Sequence, residues 1–317
     1  MKTITKRLLT LLLGTGMAGI AMPQAYQDIY PDTWVATDGV GRVMPTSEDV
    51  PLKTDKDRTV GIFYVTWHTQ NLHDGKEYRA DVSRVLAQDP YASRNNDSPA
   101  WTKSSYHWGE PEWGYFLSQD EYVIRKDMSM LTDAGVDMII FDVTNAVLYW
   151  DEWAVTLRTM AQMKKEGNKV PKFCFWAFNG NVITVVHQLY DKYYKNPQYQ
   201  DLWFYWDGKP LLLYNATPSV DANVGGGEKN LADYSDEVKQ FFTLRNMWWG
   251  YYEWAGNRYV GTEGNWSFGL QLNDKKVAEM KPEQLAATWK GRYEQMSVTP
   301  AQHPITNVGK SWSRNGG

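Results

Sequence analysis

Two carboxyl groups placed at the ends of buried strands are what glycosidic-bond hydrolysis needs: one protonated to assist the leaving oxygen, one ionised as base or nucleophile. Asp142 meets the requirement. It is an acid at the end of the mostly apolar run Val136-Asp137-Met138-Ile139-Ile140-Phe141. Glu253 is the second strand-end acid, flanked by Tyr252 and Trp254, a setting that favours the protonated form and suits a general acid. Glu110 and Glu112 lie in Tyr106-His107-Trp108-Gly109-Glu110-Pro111-Glu112-Trp113, the most aromatic part of a long loop. Long loops in compact domains are commonly functional. Glu110 is the better acid of the two, Glu112 a solvated one, and Glu263 a further loop candidate. Each acid also has a structural reading: Asp142 as a buried, hydrogen-bonded residue, Glu253 as a partner of Arg245 or Arg258.

Around these acids stand groups suited to sugars. Sixteen Trp, 20 Tyr and 10 Phe give the chain an unusual aromatic load. A broad ring with one polar edge suits a saccharide face, and a core alone rarely needs so many indoles. Trp67, Trp108, Trp150 and Trp254 are the candidate stacking platforms. Asn145, Asn179 and Asn215 sit at or just past strand ends, where amides bond hydroxyls. His68, His107 and His303 are similarly placed, whereas His187 falls within a helix and reads as structural. No HExxH or close-spaced ligand pair marks a zinc site, so no metal or organic cofactor is expected. No Gly-x-Ser-x-Gly elbow marks a serine esterase.

The elements that position these residues alternate. Strands are expected at Val60–Val65, Val136–Phe141, Lys172–Phe178 and Pro210–Tyr214, the last after a hairpin turn at Asp207-Gly208. Further strands are expected at Met247–Trp254 and Arg292–Thr299. Helices are expected after Ser118-Gln119-Asp120-Glu121, which resembles a capping box, and over 151–166, 181–194, 236–245 and 282–289. Strand–helix repetition with strands apolar on both faces implies a parallel sheet covered by helices. A doubly wound fold would want a Gly-rich turn after an early strand, and none is present. A (β/α)8 barrel of the TIM type fits better, its chemistry at the strand ends. Six strands are visible where eight are required. Either Ser267–Leu272 conceals one of the others, or the barrel is incomplete at the C-terminus or completed by another chain.

The outline is thus residues 1–25 as signal peptide, 26–57 as an extended arm and 58–317 as the barrel. Lys2, Lys6 and Arg7 precede the apolar Leu8–Leu13, and Ala25 supplies a cleavage site; this order marks secretion to the periplasm or medium. Cleavage removes three cations from 33 and no acid from 37, leaving 30 against 37, a charge of −7. That balance disfavours nucleic acid as a partner, and mildly disfavours a lyase acting on uronic acids. No later stretch is long enough to insert in a membrane. Cys174 is the only cysteine, which excludes a disulfide framework and reads as a small buried hydrophobe.

Four runs, Pro31-Asp32-Thr33-Trp34-Val35-Ala36-Thr37-Asp38, Val60-Gly61-Ile62-Phe63-Tyr64, His107-Trp108-Gly109-Glu110-Pro111 and Phe141-Asp142-Val143-Thr144-Asn145, carry a resemblance. Together they resemble uncharacterised secreted bacterial glycoside hydrolases, similar in turn to the endo-α-mannosidase-like family 99 and family 71 barrels. The resemblance covers most of the mature chain. It implies a carbohydrate substrate and adds weight to Glu110. Members of that group continue to a strand ending in a Trp-Asn-Glu-Trp-like motif that this chain does not contain. The alternative function is a carbohydrate-binding protein without catalysis, which needs the aromatic rings and amides but no acid pair.

Overall fold

The computed structural model describes residues 37, 39–46, 49, 58–69, 79–105, 107–143, 147–178, 182–214, 234–249, 263–268 and 280–298. The chain divides into two units, Met1–Leu52 and Lys53–Gly317. In the first, Thr37 and Val43 form an antiparallel bridge around Gly41 at φ +81°. The second holds the sheet.

Among the described residues, six parallel strands run side by side in sequence order: β1 (Gly61–Tyr64), β2 (Met138–Val143), β3 (Lys172–Ala177), β5 (Lys209–Tyr214), β6 (Thr243–Trp249) and β7 (Asn265–Phe268). A short β4 (Tyr205–Trp206) pairs antiparallel with β5. Between them, Asp207 and Gly208 both adopt positive φ, 51° and 79°, the tight-turn geometry that an Asp-Gly pair favours. A doubly wound sheet reverses its strand order at a switch point; the described strands do not. Its helices therefore fall on one face.

Side-chain alternation confirms that. Ile139, Phe141 and Val143 of β2, Phe173 and Phe175 of β3 and Leu212 of β5 share one core with the helices. These, after α1 (Val82–Gln88) in the long loop, are α2 (Glu121–Asp133), α3 (Trp150–Lys165), α4 (Val182–Leu189) and α5 (Asp236–Phe241). The opposite side chains, Met138, Ile140, Cys174, Trp176, Leu211, Leu213, Met247 and Trp266, form a second core. Phe63 of β1 and Phe268 of β7 come from opposite edges of the parallel sheet, yet their ring centroids lie 4.8 Å apart. A flat sheet would keep them far apart, since each strand adds almost 5 Å. The sheet is curled into a half-barrel, with the second core as its interior.

A hairpin packs against that interior. After the short α6 (Pro282–Leu285), β8 (Ala287–Trp289) and β9 (Arg292–Gln295) pair antiparallel. Thr288 of β8 makes a parallel bridge with Glu263 just before β7, and the Gly264 N–H donates to its carbonyl at 2.6 Å. The Gln295 side-chain amide then accepts from the Ser267 N–H and donates to its carbonyl, both at 2.9 Å. It thus engages one residue of the β7 backbone much as a neighbouring strand would, the kind of cover that edge strands require.

Four expectations need correction. The helix expected over 236–245 ends at Phe241, and β6 starts at Thr243, because Phe242 turns extended. The helix expected over 282–289 stops at Leu285, and the strand expected at 292–299 is an antiparallel hairpin arm, not the sixth parallel strand. That sixth strand is β7, in the segment containing Ser267. The capping residue of α2 is Asp120, whose carboxylate accepts from the Tyr122 and Val123 N–H groups. Ser118 is used elsewhere.

Candidate functional site

The C-terminal ends of β1–β3 form one rim. Asp142 follows Met138 and Ile140 by the two-residue period of β2, so it belongs to the interior face. It lies in register with Trp176 and is only 1 % exposed. A carboxyl group so deeply buried at this end of a (β/α) sheet is where such folds put chemistry.

Beside it, the residues after β1 are fixed by the long loop. The His68 N–H donates to Ser118 Oγ (3.1 Å) and the Ser118 N–H to the His68 carbonyl (2.7 Å). The Arg79 guanidinium donates to the Trp67 carbonyl and to that of Thr69 at 3.2 Å. The His68 ring lies 4.0 Å from Trp108 and meets Phe116 edge-on at 4.8 Å. Burial first, and the charge of Arg79 second, hold the His68 imidazole at about 4, below its ordinary 6.5. His68 is therefore a neutral group at physiological pH.

That depression has a measurable consequence. Between about pH 6.5 and 4 the unfolded chain takes up a proton at His68 that the native chain refuses. Stability from this group is complete above 6.5 and falls as the pH drops through the window, by about 1–2 kcal/mol after allowing for the ring's partial exposure. The His68 ring-proton resonances should stay those of the neutral imidazole down to about pH 5; a midpoint near 6.5 would contradict the geometry.

Trp108 has its indole N–H buried without a partner among the described residues, and its carbonyl accepts from Tyr115 Oη at 3.1 Å. Thr66, 1 % exposed, likewise has its hydroxyl without a partner among the described residues. Two buried polar groups at the rim are suited to a ligand's hydroxyls or to water. Trp67 is half-buried, and among the described residues no other ring packs on it. Of the expected platforms among the described residues it has the least occupied ring.

The other candidates are distributed as follows. Glu110 and Glu112 are exposed; burial first and the Glu110 charge second raise the Tyr115 phenol. His107 stacks on Trp101 at 5.0 Å and its Nδ1 donates to the Ser105 carbonyl at 2.7 Å, tying down the loop. Trp150 opens α3, edge-on to Trp153 (5.5 Å) and beside Tyr193 (5.8 Å), with the Lys192 ammonium 5.9 Å from its ring. It is engaged in the helical layer. Glu263 accepts from the Lys290 N–H at 3.0 Å and steadies the turn between β8 and β9. Glu253, Trp254, Asn145, Asn179, Asn215 and His303 lie outside the described residues.

Glu294 is a buried acid outside the sequence candidates. The Glu294 side chain is 0 % exposed and accepts four hydrogen bonds: from Arg245 Nε and Nη2, both 2.7 Å, from the Trp206 indole at 2.7 Å and from Trp266 at 2.9 Å. Asp207 also pairs with Arg245 at 3.0 Å and with Arg292, and Arg245 stacks 4.1 Å from the Trp289 ring centroid. Burial alone would raise the Glu294 carboxyl; the bonds from Arg245, Trp206 and Trp266 outweigh it and bring it below its ordinary value. Asp207 lies in the turn entering β5, which places the cluster toward the N-terminal end of the strands. An acid so saturated has little capacity left for substrate. It is a structural anchor, at the face where barrels keep stability residues.

No family model and no curated protein matches the chain. Among solved structures, the GH99 endo-α-mannosidase from Bacteroides thetaiotaomicron is similar over 60 % of this chain and 55 % of its own, with 17 % identity and a TM-score of 0.37. A structure of a GH99 endo-α-mannosidase from the same organism in complex with bis-tris propane is similar over 61 % of this chain and 53 % of its own, with 18 % identity and a TM-score of 0.35. The chain thus spans about half the length of each of these structures.

Proposed function

We propose that the chain is a secreted glycoside hydrolase acting on an oligo- or polysaccharide at the strand-end rim of a (β/α) half-barrel. The observation that carries the reading is Asp142, a carboxyl group 1 % exposed on the interior face at the end of β2. Thr66, Trp67 and His68 follow β1, the neighbour of β2, and with Trp108 against His68 they would supply ring faces and polar groups for a sugar. Asp142 is assigned as one acid of the pair, with Glu253 or Glu110 as the other; the reaction requires no organic cofactor. The proposed leader, residues 1–25, directs export, which sequencing of the exported protein's N-terminus checks.

A reducing-end assay across neutral oligo- and polysaccharides tests the assignment. Asp142→Asn should lower kcat/KM at least about a hundredfold, with the thermal melt little changed. Turnover at the native rate in that variant removes Asp142 from the mechanism. The second reading, a carbohydrate-binding protein without catalysis, is favoured by Glu110 being exposed, with its charge acting on Tyr115. Retardation in glycan-containing gels together with no turnover on any glycan would establish it.

A further inference from the structure

We propose that Ser235 and His187 form a nucleophile–base pair on the outer helical layer, able to take the acyl group of an activated ester. Neither residue belongs to the rim, and the inference stands apart from the hydrolase reading.

The geometry sets the tautomer. His187 Nδ1 lies 2.7 Å from the Ile183 carbonyl. A carbonyl only accepts, so Nδ1 carries the proton and the neutral ring leaves a lone pair on Nε2. Ser235 Oγ lies 3.1 Å from that Nε2, and the Ser235 N–H also points to it at 3.4 Å. The hydroxyl proton is therefore directed at the imidazole. Tyr234 lies nearly parallel to the His187 ring at 6.2 Å. Hydroxyl, base and a group that orients the base make up the arrangement that activates a serine, here with a backbone carbonyl as the orienting group. Ser235 is exposed, so an ester can reach it.

The step balances without another reagent. Ser235 Oγ bonds to the acyl carbon as its proton passes to His187 Nε2. The bond between the acyl carbon and the aryloxy oxygen breaks, and the aryloxide leaves with that electron pair and recovers the proton from Nε2. The products are an O-acyl serine and a phenol. No donor for a developing oxyanion enters this scheme, which restricts the acyl donor to esters with a good leaving group.

Ser235 Oγ also accepts from the Val238 N–H at 3.3 Å, capping α5, so the variants must spare that role. The full chain is treated with p-nitrophenyl acetate and its peptides mapped by mass spectrometry, with hydroxylamine separating labile serine esters from stable lysine amides. The expected result is a hydroxylamine-labile acetyl group on Ser235. Ser235→Asn keeps a capping side chain and should abolish that label. His187→Gln keeps a hydrogen-bonding side chain without the base and should slow labelling about a hundredfold. An unlabelled Ser235 peptide in the native chain, or native-rate labelling in His187→Gln, overturns the proposal. The native-chain map decides the matter even if a variant loses its fold.

Discussion

Glu294→Ala should cost the fold about 3–5 kcal/mol, the loss characteristic of breaking a buried ion pair by removing one partner. Arg245 is 4 % exposed and, among the described residues, would keep as its acidic partner only Asp207, whose side chain is 32 % exposed. The Trp206 and Trp266 indoles would lose their acceptor as well, and each orphaned donor adds to the cost. Equilibrium urea unfolding reads the effect as a lower midpoint at unchanged slope. Glu294→Gln preserves an acceptor oxygen and should cost less. Arg245→Met combined with Glu294→Ala should cost less than the sum of the two single changes, because no charge is then left buried. A Glu294→Ala midpoint equal to that of the native chain would refute the anchor.

The same carboxyl sets an acid limit distinct from that of His68. Its native pKa lies below the ordinary value of 4.5, so its contribution is complete above that value and is lost as the pH falls through the native pKa. His68 acts earlier, between about 6.5 and 4. Acid titration of stability should therefore show a shallow first decline and a steeper second one. Glu294→Ala should flatten only the second.

Why Asp142 was legible and Glu294 was not follows from where burial originates. Met138–Val143 is buried throughout, and a single acid closing such an apolar run is conspicuous. Lys172–Ala177 is almost as continuous, and Asp207-Gly208 marks the hairpin between β4 and β5 plainly. Glu294 instead lies in Arg-Tyr-Glu-Gln, a segment with a surface composition. Its burial comes from Trp206, Arg245 and Trp266, which are 88, 49 and 28 positions away. Local sequence holds no trace of such partners. Strand β7 was obscured for a related reason: Asn265 and Ser267 alternate with Trp266 and Phe268. Asn246 Nδ2 donates to Asn265 Oδ1 at 2.6 Å, and Ser267 Oγ lies 3.1 Å from Ser297 Oγ. The strand is half polar because side chains answer side chains, and a search for apolar runs passes over it.

Trp176→Ala should be as damaging as the loss of Glu294, about 3–5 kcal/mol, for a different reason. The ring is fully buried at the centre of the interior face. It meets Phe63 at 5.5 Å, Phe178 at 5.4 Å and Phe268 at 5.3 Å. Those rings come from β1, the end of β3 and β7, so one indole joins both edges of the parallel sheet. Its N–H donates to the Met247 carbonyl at 3.1 Å, adding a polar tie to β6. Trp153 provides the internal comparison. It is equally buried, but its indole N–H has no partner among the described residues. Phenylalanine at either position removes similar volume, yet only Trp176→Phe also breaks a hydrogen bond and leaves a buried carbonyl with fewer donors. Trp176→Phe should therefore exceed Trp153→Phe by about 1 kcal/mol, read from urea midpoints. Equal losses would mean that ring volume alone stabilises the curled sheet. A larger loss for Trp153→Phe would place the dominant constraint in the helical layer rather than in the interior beside Asp142.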